Sequence, residues 1–60
     1  MDDLRIGLVT RAVRHRQGLR QSDLAGRAGV SQQEISLFER LGLTAVDLRT
    51  ARRICAPLGV

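Results

Sequence analysis

The 60-residue sequence has one cysteine, one aromatic residue and no lysine. The single cysteine, Cys55, permits no disulfide within the chain and no cysteine-based zinc site. That usage suits a reducing compartment. The single aromatic, Phe38, cannot supply the stacking platform on which RNA-recognition and single-strand folds lay their bases. No apolar run approaches the roughly 18 residues of a membrane span. The start, Met1-Asp2-Asp3, lacks the basic opening of a signal peptide. A soluble, cytoplasmic chain with no membrane partner is expected. No segment alternates apolar and polar residues with strand period, so the chain is expected to be all-α. There is no internal repeat, low-complexity tract or linker, and residues 1–60 read as one domain with one small core.

Catalytic and metal-binding groups are also missing. His15 is the only histidine and has no ligand partner at metal spacing. Cys55 reads as a small core residue. No acid, base and nucleophile come together in the sequence, and no glycine-rich phosphate loop is present. The expectation is no enzyme activity, no cofactor, no metal and no small-molecule substrate.

What is present is positive charge. All ten basic residues are arginine, against six acidic residues, for a formal net charge of +4. Arginine carries a fixed charge on a planar fork that suits phosphate. A small basic domain points to a polyanion. Without aromatic side chains for stacking, a nucleic-acid partner would be duplex DNA rather than a single strand.

Helical signals punctuate the chain. Ile6, Val9, Val13 and Gln17 follow helical spacing with Thr10 on the same side, which predicts a first helix over 4–17. Asp2 and Asp3 suit its positive end. Gly18 is expected as a left-handed cap, with Leu19 returning to the core. A second helix is expected over 21–28, with Leu24, Ala25 and Ala28 inward and Asp23 and Arg27 paired outside. Gly29 turns the chain. A third helix is expected over 31–39, opened by a capping box between Ser31 and Glu34 and stapled by Val30 and Ile35. Ile35 and Phe38 point inward; Gln32, Gln33, Ser36, Leu37 and Arg40 point out. Residues 41–44 read as a loop. A fourth helix is expected over 47–55, capped by Asp47 or alternatively Thr44. Leu48, Ala51, Ile54, Cys55 and Leu58 carry its apolar face, and Pro57 stops or distorts its last turn.

From Ile6 to Val60 the chain resembles the phage repressor and Cro-type helix-turn-helix family, the Xre family. The resemblance rests on Ile6-Gly7, Arg11, Arg14, Gly18-Leu19, Gln21, Leu24-Ala25, Gly29-Val30-Ser31, Ile35-Ser36, Glu39-Arg40 and Leu58-Gly59-Val60. It implies a compact, lambda-repressor-like bundle, four short helices here and five in the family. The helix-turn-helix would span 21–39, its second helix in the major groove and the start of its first against a phosphate. It also implies a homodimer on two-fold related half-sites, an inverted-repeat operator. Three departures stand out. Arg20 replaces the usual threonine or serine cap. Leu41 intervenes between Glu39-Arg40 and Gly42. The sequence stops where the family's fifth helix begins, so either the native chain is longer or self-association uses another surface.

The outward residues carry the functional expectations. Gln32 and Gln33 are placed to read bases, since glutamine pairs with adenine N6 and N7. Ser36 and Leu37 follow them, Leu37 in reach of a thymine methyl. Gln21 is expected to clamp a phosphate with Arg20 as a supporting cation, and Arg40 to reach another. Arg14 and Glu39 match a family ion pair and are expected to tie the first helix to the third. Arg11, Arg16 and Arg27, and the run Arg49, Arg52 and Arg53, read as solvated helix charges. The expected function is sequence-specific duplex-DNA binding by a repressor-like transcriptional regulator. An antitoxin with the same fold is one alternative, and a protein-interaction module that has lost DNA binding is the other.

Overall fold

Four α-helices follow one another in the computed structural model, which describes residues 4–59. They are α1 (Arg5–Arg16), α2 (Gln21–Ala28), α3 (Gln32–Leu41) and α4 (Leu48–Cys55), with 3-10 turns over Gly42–Thr44 and Ala56–Leu58. No strand occurs among the described residues. The all-α bundle expected from the sequence is therefore the fold. Asp2 and Asp3, expected to favour the start of α1, lie outside the described residues.

The strongest local signals behave as read. Ser31 accepts a hydrogen bond from the Glu34 backbone N–H at 3.1 Å, and Glu34 accepts from the Ser31 N–H at 3.0 Å. Both halves of the capping box are made. Gly18 and Gly29 take the left-handed φ of 71° that their turns need. At α4, Asp47 and not Thr44 is the cap: it accepts from the Thr50 N–H at 2.7 Å, while the Thr44 hydroxyl donates to the Leu41 carbonyl. α4 ends at Cys55, and the segment containing Pro57 tightens into a 3-10 turn.

The backbone hydrogen bond from Thr50, then its side chain, then Arg49 and Arg53, hold the Asp47 carboxyl below its ordinary value near 3.8. A depressed carboxylate stabilises the fold above its unfolded value and loses that contribution as pH falls through the folded one. Asp47→Asn keeps a capping oxygen without the titration. Its urea midpoint should therefore fall less than that of the unaltered chain on acidification from about pH 4 to pH 2, where the unfolded carboxyl titrates near 3.9. Equal falls would show that the cap carries no charge-dependent stability.

Leu24, Ala25, Ile35, Phe38, Ala51, Ile54 and Leu58 form the core, with Ile6, Val13, Leu19, Ala28, Val30, Leu43, Val46 and Cys55 packed around it. Every helix contributes, and α3 leans on both α1 and α2. Thr10 is buried because its hydroxyl donates to the Ile6 carbonyl at 2.7 Å, which satisfies the one polar group it brings inside. Gln17 stays at the surface and donates from Nε2 to the Leu58 carbonyl at 3.0 Å, tying the end of α1 to the last turn.

Several expectations are corrected. Val9 is 47% exposed and Leu48 is 59% exposed, so neither joins the core. On α1 the buried side is set by Gly7, Thr10 and Arg14, which turns Val9 outward. Asp23 does not pair with Arg27. Its carboxylate accepts from the Arg20 backbone N–H at 2.9 Å, and no Asp23–Arg27 ion pair forms. That bond is half of a capping box; the other half cannot form, because a guanidinium has no acceptor. Ser36 and Leu37 are half-buried rather than fully outside. The extra residue, Leu41, is absorbed by lengthening α3 instead of the loop. The helix then stops at Gly42, whose φ of 59° and ψ of −138° suit a residue without a Cβ.

Candidate nucleic-acid interface

α3 is a helix of about 15 Å, at 1.5 Å per residue. Its inner side is fully engaged: Ile35 and Phe38 are in the core, and Glu39 is 3% exposed. Its outer side presents Gln32, Gln33 and Arg40, which are exposed, with Ser36 and Leu37 half-buried between them. Gln32, Ser36 and Arg40 fall four residues apart and so share one row of the helix surface. Gln33 and Leu37 form the neighbouring row. The two glutamine side chains open the helix and make no hydrogen bond to the rest of the described chain. All five outward residues named from the sequence therefore lie on one surface of one helix.

That helix is fixed from behind by a buried ion pair. Arg14 Nε donates to Glu39 Oε2 at 2.6 Å and Nη2 donates to Oε1 at 3.0 Å, a bidentate fork. Arg14 Nη1 donates to the Leu19 carbonyl at 2.8 Å. α1 is thereby locked to α3 and to the start of the segment leading into α2, the structural role expected of this pair. Glu39 Oε1 also accepts from Gln21 Nε2 at 3.1 Å. The sequence places Gln21 against a phosphate and shows no sign of this internal bond. One of the two Nε2 hydrogens is used on Glu39, and the second is left over.

These contacts leave an open cleft between three helices. Its walls are Arg11 and Arg14 from α1, Gln21 from α2, and Ser36, Glu39 and Arg40 from α3. Gln21 and Arg40, both named as phosphate contacts, thus meet at one place. Arg20 occupies the N-cap position of α2 but is not part of this wall. Arg11, read from the sequence as a solvated charge, is. The signal was there: Arg11 lies three residues before Arg14, one turn away on the same side of α1.

A family model described as a helix-turn-helix domain matches residues 5–60. The chain belongs to this helix-turn-helix family. No curated protein matches the chain. Helix-turn-helix domains bind DNA by laying their second helix in the major groove while the first crosses the backbone. In this helix-turn-helix domain α2 and α3 are joined by the turn that starts at Gly29. The membership makes DNA the partner class and transcription regulation the corresponding role. No helix among the described residues is long and apolar enough to cross a membrane.

Proposed function

We propose that this helix-turn-helix domain recognises a specific duplex-DNA sequence as a repressor-like transcriptional regulator. The observation that carries the reading is the division of labour on α3. Its inner residues are committed to packing and to the Arg14 fork, whereas Gln32 and Gln33 are exposed at its capped start and have no side-chain partner among the described residues. Side chains so placed are free to meet base edges, and one good bidentate contact gives about 1–3 kcal/mol of discrimination. Ser36 and Leu37 extend the same surface and would read flanking positions. Arg20, Gln21 and Arg40 would hold the backbone and set register. The domain would act in the cytoplasm, associated with the nucleoid, as a homodimer on an inverted repeat.

Selection from random duplexes, repeated at two salt concentrations, tests this reading. A short preferred site is expected, with affinity falling steeply as salt rises. Gln33→Ala should relax base preference more than it lowers binding to random DNA. Arg40→Ala should weaken all sequences alike and flatten the salt dependence. Failure to prefer any duplex over random DNA would sink the specific reading and favour a protein-interaction module.

A further inference from the structure

We propose that Arg11 is a DNA-backbone contact and that it shares a single phosphate with Arg40 and Gln21 in the cleft between α1, α2 and α3. The inference rests on the DNA-binding reading and extends it to a residue that the sequence leaves as a bare surface charge. Three features of the cleft carry it. Two exposed guanidiniums, from Arg11 on α1 and Arg40 on α3, line one hollow. Neither has a carboxylate partner within ion-pair distance; the one ion pair among the described residues joins Arg14 to Glu39. The acid in the cleft wall, Glu39, is already engaged by three N–H donors. Its charge is met by Arg14, so the uncompensated charge facing the cleft is positive.

The remaining donors suit a phosphate. Gln21 Nε2 keeps one hydrogen after serving Glu39, and its carboxamide is held in place by that bond. The Ser36 hydroxyl stands at the same wall. A phosphate oxygen accepts from guanidinium, amide and hydroxyl donors together, and arginine forks are well matched to it. The cleft also adjoins the row Gln32–Ser36–Arg40 on α3. A phosphate seated here would therefore fix the helix against the duplex at the side of the surface that faces the bases. Arg20 has no place in this wall, so the cation that supports Gln21 comes from α1.

The test compares Arg11→Ala, Arg40→Ala, their double variant and Arg20→Ala with the unaltered chain. Each is bound to the selected duplex and to a random duplex over a range of salt, with circular dichroism confirming that each variant is folded. Arg11→Ala should lower affinity for both duplexes by the same factor, about five- to ten-fold near 0.1 M salt if a full contact is lost. Arg20→Ala should lower it less. The double variant should flatten the slope of log affinity against log salt by about 0.9, the worth of one phosphate, and not by about twice that. A shift of twice that size would show two separate phosphates and overturn the shared site. An unchanged affinity in Arg11→Ala, with Arg40→Ala still impaired, would overturn the inference and leave the DNA reading standing. Absence of duplex binding by the unaltered chain would overturn both. Inorganic phosphate added to the DNA-free domain should move the amide NMR signals around Gln21 and Ser36 only at high concentration; saturation at micromolar levels would make the cleft a pocket for a small phosphorylated ligand instead.

Discussion

Replacing Glu39 with alanine should cost about 3–5 kcal/mol, the loss expected when a buried ion pair is broken from one side. The carboxylate accepts from Arg14 Nε, Arg14 Nη2 and Gln21 Nε2. Its removal leaves a guanidinium whose side chain is only 7% exposed without its counter-charge. Water cannot readily replace the carboxylate there. At about 0.05–0.15 kcal/mol per residue, a chain of this length holds about 3–9 kcal/mol in all. The variant should therefore stand at the edge of unfolding, and urea denaturation followed by circular dichroism would show it. The double replacement Arg14→Met with Glu39→Leu separates the cause from simple loss of volume. Taking out both charges should restore much of the stability, because desolvating the pair offsets most of its attraction. If Glu39→Ala costs under about 1 kcal/mol, as surface pairs do, then the pair is solvated and the account is wrong.

Gly7→Ala should be nearly as damaging, for a reason with no charge in it. A Cβ on Gly7 would lie 2.2 Å from the Phe38 carbonyl oxygen and 2.9 Å from that of Glu39. Both obstacles are backbone atoms of α3, so no rotamer change relieves them. α1 and α3 meet backbone to backbone at this point, and one methyl group must push them apart. Overpacking of this kind costs about 1–3 kcal/mol, and more when backbone has to move. Alanine's better helix propensity, about 1 kcal/mol, opposes the loss but acts on α1 alone. Gly26→Ala is the matched control. Gly26 is also helical, and a Cβ there would meet nothing within 4 Å. It should stabilise the domain by about 0.5–1 kcal/mol. One substitution, made in two helices, should thus move the urea midpoint in opposite directions. Equal shifts would show that the α1–α3 contact is looser than the structure has it. If the altered chain folds, a displaced α3 should lose specific DNA binding before it loses non-specific affinity.

The features legible in the sequence are those written at short, fixed spacing. Ser31 and Glu34 and the Gly29 turn act within a few residues, so the sequence alone shows them, whereas it left the cap of α4 open between Asp47 and Thr44. The Arg14–Glu39 pair is distant in the chain and was legible only through the family resemblance. Val9 and Leu48 were misjudged because helical periodicity defines a stripe, not its edges. In a small core with few covering helices, a residue at the margin of the stripe stays in water. Gly7 appeared in the sequence only as a matching letter, since its role depends on how closely α3 crosses α1. Arg11 was missed for a related reason. Its setting is made by α2 and α3, and the one local sign of it, Arg14 a turn further along the same side of α1, does not show that three helices converge there.

Gln32 and Gln33 owe nothing to the fold that presents them. The hydrogen bonds that start α3 come from Ser31 and Glu34, and its anchoring comes from Ile35, Phe38 and Glu39. Surface replacements away from such features usually change stability by within about 0.5 kcal/mol. On the proposed reading, in which these two side chains meet the bases, binding preference can therefore drift by single substitutions without passing through an unfolded intermediate. A library randomised at these two positions should return folded domains with divergent targets, which makes the scaffold retargetable both in evolution and at the bench.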